Sequence, residues 1–288
     1  MSNVAVQFLG LCALIAGVAG GYWLWIRPRA AELSMQSAGL LWLIILTFMG
    51  GIIGSSGWWF DEPSSFAWDL PPLASRMLAS AGWAFGAASF MTLRQPTARR
   101  VRLTLLMLLT YLLPLAIAII FFHLERFDPN APITYAFFIF VVAMVIPCIW
   151  FLLRPPTIGT DSPQDTIPSS SRTRLWLTLV GTLMGLWGLA LFITDSGTDL
   201  IWVWPGDLLT SRLIAAMLLT IALAAFYSRA YADSARVALV TIVVYGVGVI
   251  LSNLASLLAD KPMKLAYVVV FGAAALISFG LLLVPERS

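Results

Sequence analysis

The stretch "FAWDLPPLASRM" occupies residues 66–77, and "WVWPGDLLTSRL" occupies residues 202–213. Trp68 aligns with Trp204, Leu73 with Leu209, Ser75 with Ser211 and Arg76 with Arg212, all at an offset of 136 residues. Extended to residues 66–103 against 202–239, the register gives ten identities, among them Ala79/Ala215, Phe90/Phe226, Arg100/Arg236 and Val101/Val237. Polar and aromatic matches carry the comparison, because any two membrane helices share leucines. The offset predicts two copies of one structural unit.

The chain around these phrases is oily. Of its 288 residues, 60% are hydrophobic and 11% charged, and the mean hydropathy is +0.91. Soluble domains average about 25% charged residues. Apolar runs of about 20 residues are long enough to cross a bilayer. They fall at 4–26, 38–58, 73–93, 101–123, 133–153, 175–194, 209–228, 235–258 and 264–284. Backbone in lipid must satisfy its own hydrogen bonds, which leaves helices or closed barrels. The runs are continuously apolar rather than alternating, so helices are expected. The first is not read as a cleaved leader: no basic segment precedes it, and Arg27 and Arg29 follow it as a stop-transfer flank.

The fold class expected is therefore all-α: a polytopic integral membrane protein of nine transmembrane helices, one N-terminal helix plus two parallel four-helix repeats. Residues 1–37 hold the first helix and its loop, and residues 38–153 the first repeat. Residues 154–174, rich in proline, serine and threonine, form a flexible linker, and residues 175–288 the second repeat. An even number of spans per unit makes both copies face the same way, related by an axis along the membrane normal.

Arginines orient the chain. With the N-terminus outside and the C-terminus in the cytoplasm of a bacterium, the inner segments hold 12 of the 17 basic residues and the outer segments nine of the 14 acidic ones. The net charge of +3 is read as topogenic, so no nucleic-acid partner is expected, and the location is the inner (plasma) membrane.

Each repeated phrase then lies outside and leads into a helix. Pro71 and Pro72 suit a first helical turn, where a missing N–H costs nothing. Asp207 is expected to cap the helix that follows it. Trp58, Trp59, Trp68, Trp202 and Trp204 gather on one side as an interfacial belt, or alternatively as an aromatic site for a lipid tail or pigment. Arg76 and Arg212 stand one turn inside their helices, near the positive dipole end, and call for a carboxylate, a phosphate or a route to the interface. Each is expected to pin its own outer loop, through Asp61, Glu62 or Asp69 in the first copy and Asp195, Asp199 or Asp207 in the second.

Glycines four apart (Gly17/Gly21, Gly50/Gly54, Gly82/Gly86 and Gly181/Gly185) predict close helix contacts within the chain, while helix 1, outside the repeat, is the candidate contact to another subunit. Pro114 and Pro147 should kink or break their helices. Cys12 and Cys148 read as buried apolar thiols. His123, the one histidine, is expected at the outer interface, and its solitude excludes bis-histidine haem and multi-histidine metal sites. No cofactor is expected.

"GSSG", residues 54–57, resembles the GxSG string of the rhomboid family of intramembrane serine proteases. The resemblance implies a Ser56–His123 dyad, but the flanking family motifs are missing and a duplicated four-helix plan does not suit that fold. The W-x-W-P-x-x-L-L-x-x-R pattern resembles a string in multipass bacterial membrane proteins and transfers no activity. The expected function is non-catalytic: an accessory or scaffold subunit of a bacterial membrane complex, or a binder of lipid-like or pigment ligands, with membrane lipids around it. The alternative is a transporter of a small hydrophobic or amphiphilic solute, and a third reading is the intramembrane hydrolase.

Overall fold

The computed structural model describes residues 3–60, 70–130, 132–156, 158, 166–193, 208–261, 263 and 265–284, and in it the chain is an all-α bundle. The first helix, α1 (Asn3–Gly21), continues through a π turn, Tyr22–Ile26, and ends in a 3-10 turn, Arg27–Arg29. The second rod, α2 (Met35–Met49), likewise passes through a π segment, Gly50–Gly54, into a last helical stretch, Ser55–Trp59. Seven uninterrupted helices follow: α3 (Pro72–Arg94), α4 (Ala98–Phe122), α5 (Pro132–Leu153), α6 (Ser171–Ile193), α7 (Leu208–Ser228), α8 (Ala232–Leu258) and α9 (Leu265–Leu283).

Local sequence sets the boundaries. Ser34 accepts the backbone N–H of Ser37 and so caps α2, and Thr97 does the same for Arg100 at the start of α4. Pro71 takes an extended ψ of 141° as the N-cap of α3, and Pro72 opens the helix without sacrificing a hydrogen bond. Pro114 and Pro147, expected to kink or break their helices, do not break them; α4 and α5 run through both prolines.

Eight of the helices are long and apolar enough to span a membrane, and the chain is a multi-pass membrane protein. The long helix that falls short of that apolarity is α3, which carries Ser75, Arg76, Ser80, Gly82, Gly86, Ser89 and Thr92. Its position accounts for this composition. α3 packs along α2 on one side and α8 on the other, so protein rather than lipid covers most of it. α7 is the most enclosed span, 83% buried, against 22% for α5 and 11% for α1. The remaining principal pairings are α6 with α7, α8 with α9, α4 with α7 and α4 with α5.

Because lipid tails are as apolar as leucine, close packing holds such helices together rather than escape from water. Glycine supplies that closeness. A Cβ on Gly51 would stand 2.5 Å from the carbonyl oxygen of Gly82 and 2.8 Å from the amide nitrogen of Gly86, so α2 and α3 meet backbone to backbone. Gly248 of α8 makes room for the side chain of Ser80 on α3, whose Cβ would stand 2.5 Å from an added Cβ. Gly17 and Gly21 lie against Ile45 and Met49 of α2 and Ile53 of the π segment that follows it, which places the small-residue face of α1 inside the chain. Of the expected Gly50/Gly54 pair, neither touches a neighbour; Gly51 makes the contact instead.

The described residues of the linker contact the bundle. Ile158 is buried, and residues around Pro168 pair with Tyr231 through two backbone hydrogen bonds, Ser169 N–H to Ala230 and Ala232 N–H to Ile167.

Candidate functional site

Three charged side chains are buried among the described residues: Arg100, Arg212 and Asp233. A charge sealed off from water is costly unless paired, so each marks a place where the fold commits to a specific partner.

Arg100 and Asp233 pair with each other. The Arg100 Nε and Nη2 groups both lie 2.5 Å from Asp233 Oδ1, and Nη1 donates to the Met91 carbonyl at 3.1 Å. Thr97 Oγ1 donates to the second carboxylate oxygen at 2.8 Å. Thr97 is the N-cap of α4 and Asp233 lies in the first turn of α8, so the cluster ties the starts of two helices together. Asp233 also stands where a helix dipole favours an anion. Beside it, the Arg99 guanidinium lies 3.6 Å over the Tyr231 ring.

Arg212 takes a different kind of partner at the other end of α4. Its Nη1 donates to His123 Nε2 at 2.7 Å, its Nε reaches the Phe192 carbonyl at 3.4 Å, and its guanidinium lies 4.9 Å over the Phe122 ring. Arginine has donors only, so the Nε2 atom must present its lone pair. His123 caps the C-terminus of α4, at the helix end where it was expected, and is buried there, 6% exposed. Arg212 thus binds α7 to the ends of both α4 and α6. Arg212→Ala and His123→Ala are each expected to cost about 1–3 kcal/mol, the penalty for stranding a buried polar partner. The double variant should cost little more than either alone; thermal unfolding of the three proteins in detergent checks this.

Arg76 occupies the corresponding place in α3, half-buried, with no side-chain hydrogen bond or ion pair among the described residues. The residue 136 positions after His123 is Ala259, so the histidine contact has no second copy. The carboxylates expected to pin the two loops, including Asp69 and Asp207, lie outside the described residues, as do Trp68, Trp202 and Trp204. Trp58 and Trp59 are both half-buried. The Trp58 carbonyl accepts Ser75 Oγ at 2.6 Å, closing the end of α2 onto the first turn of α3. Trp59 packs on Trp83 with ring centroids 4.7 Å apart.

Ser56 and His123 have separate engagements. Ser56 Oγ donates to the Ile52 carbonyl within its own helix, while the imidazole of His123 accepts from Arg212. Among the described residues no group of three histidine, cysteine or acidic side chains is gathered to hold a metal ion. Both cysteines are free; Cys148 is buried as expected, but Cys12 is exposed on α1.

Asp233 and His123 were the partners that sequence reasoning missed. For Asp233 a signal existed, since it stands at position 97 plus 136, inside the aligned segment, opposite a threonine that also begins a helix. For His123 none did.

No family model matches the chain, and no curated protein or solved structure matches it either.

Proposed function

We propose that this protein is a non-catalytic, nine-span scaffold or accessory subunit of a bacterial membrane complex, built from a docking helix and two copies of a four-helix unit. One observation carries the subunit reading. α1 packs chiefly on α2, is 11% buried, and presents Leu9, Leu11, Cys12 and Ile15 away from the bundle. Three pairs of polar side chains, by contrast, join helices: Arg100 to Asp233, Arg212 to His123, Trp176 to Ser278. None of these clusters combines a nucleophile with a base aimed at an open site.

The two-copy reading draws support from the pairings. α2 lies on α3 as α6 lies on α7, α4 on α5 as α8 on α9, and between the quartets α3 meets α8 as α7 meets α4. Thr97 and Asp233, equivalent positions at the 136-residue offset, touch each other. Equivalent positions touch only beside a two-fold axis. The ninth crossing is supported by α3 itself, 23 residues long and packed along α8.

Cys12 offers the test. A photoreactive benzophenone maleimide attached to Cys12 in native membranes, with Cys148 replaced by serine, should cross-link α1 to one membrane protein in high yield. Adducts to lipid alone would contradict the subunit reading.

A second reading, transport of a small amphiphilic solute, is favoured by one feature. Among the described residues the seam between the quartets carries one ion pair, Arg100–Asp233, near one end of α4 and the Arg212–His123 bond near the other, and two halves related by such an axis can rock. Uptake of an amphiphilic dye into proteoliposomes, abolished by locking the halves together with a cysteine cross-link, would favour it over the scaffold.

A further inference from the structure

Four helices that run in the same direction end in the same device. α1 is followed by Arg27, whose guanidinium lies 3.6 Å over the Trp23 ring. At the end of α3, Arg94 lies 5.9 Å over Phe90; after α5, Arg154 lies 4.6 Å over Trp150; and after α7, Arg229 lies 5.6 Å over Phe226. Each arginine follows its ring by three or four residues, one helical turn, so the pair shares a helix face. All four arginines are exposed, and so are all four rings, between 37% and 55%.

We propose that this collar is a binding surface for the headgroups of anionic phospholipids. The rings project where acyl chains would lie, and a guanidinium laid on a ring keeps its N–H edge free for a phosphate oxygen. A cation at a helix C-terminus also answers the dipole there. The acids available to neutralise the collar are few. Asp233 is consumed by Arg100, and Glu32, in the turn after α1, is exposed with no ion pair among the described residues. Asp161, Asp165 and Glu286, in the segments after α5 and α9, lie outside the described residues. Four arginines spaced around one end of the bundle suit a charged leaflet better than a single soluble anion, because they stand on four separate helices.

The test uses the full chain, purified into nanodiscs of equal parts phosphatidylglycerol and phosphatidylcholine, with retained lipid read by native mass spectrometry after transfer to detergent. The wild-type protein should retain phosphatidylglycerol preferentially. The variant carrying R27Q, R94Q, R154Q and R229Q should lose that preference about fivefold or more, from the roughly fivefold per-residue effect of a basic side chain at a charged leaflet. Should the fourfold variant fail to fold, the R154Q/R229Q pair must show a partial loss. Replacing Trp150 and Phe90 by leucine, which keeps every charge, should weaken retention less. Equal retention by wild type and arginine variants overturns the proposal. So does loss of the lipid on adding excess inorganic phosphate, which would make the collar a site for soluble anions.

Discussion

Replacing Asp233 by alanine should destabilise the bundle by about 3–5 kcal/mol, the largest effect of any single substitution expected here. The loss is not the worth of the ion pair. It is mainly the cost of leaving Arg100, 6% exposed, buried without a counter-charge, together with an unsatisfied Thr97 hydroxyl. A second variant separates these causes. Removing both charges, with Arg100→Met and Asp233→Leu, should recover most of the stability, because a packed apolar pair replaces a buried ionic one at little net cost. Asp233→Asn should fall between, since the amide still accepts from Thr97 but no longer cancels the guanidinium. Unfolding in detergent micelles followed by tryptophan fluorescence would rank the three. If the alanine variant matches the wild type, the ion pair does not hold the two quartets together.

Adjacent glycines give the second large effect. Gly51→Ala forces a methyl group to 2.5 Å from one backbone atom of α3 and 2.8 Å from another, and backbone cannot move aside as a side chain can. Overpacking of this kind costs about 1–3 kcal/mol, and more where a whole helix must shift. Gly50→Ala meets nothing within 4 Å and removes a flexible residue from a helical segment, so it should be neutral or stabilising by roughly 0.5–1 kcal/mol. Neighbouring positions with opposite signs test the α2–α3 contact more sharply than either alone. Equal behaviour of the two variants would mean that the Gly51 face does not meet α3.

These predictions draw on residues that the sequence ranks unequally. Eight of the spans were legible because apolar runs of membrane length leave few alternatives: the stretch expected at 101–123 lies within Ala98–Phe122 and its cap, and that at 235–258 within Ala232–Leu258, whereas the stretch expected at 73–93 forms the helix Pro72–Arg94 without the apolarity of the others. The interior of the bundle was not legible in the same way. Lipid and protein interior are equally apolar, so hydropathy alone cannot say that α7 is enclosed while α5 faces outward. The serines and glycines of α3 were the usable clue, because a helix can afford them only where other helices cover it. The π turns at Tyr22–Ile26 and Gly50–Gly54 leave no periodic signature, and so Gly50 was expected in a contact that Gly51 makes.

The candidate site was half legible. Arg212 stood out as a cation inside an apolar helix, and it is buried and bonded, but of its described partners only Phe192 stands one loop away, while His123 lies 89 residues back at the end of α4. Long-range pairs of this kind depend on which helices are neighbours, which a single sequence does not state. Of the kink or break expected at Pro114 and Pro147, the break is absent, because the helical path survives the loss of one amide donor.

The central claim is that two similar quartets face the same way, with α3 as a true crossing. Its most direct measurement is the accessibility of single cysteines placed at Ser64 and at Gly206, in a Cys12→Ser, Cys148→Ser background, to a membrane-impermeant maleimide on sealed cells. Four crossings separate the two positions if α3 spans the membrane, so both cysteines should be labelled from the outside. If α3 does not span, three crossings separate them, and one of the pair will react only after the cells are opened. That result would contradict the nine-span, two-copy account.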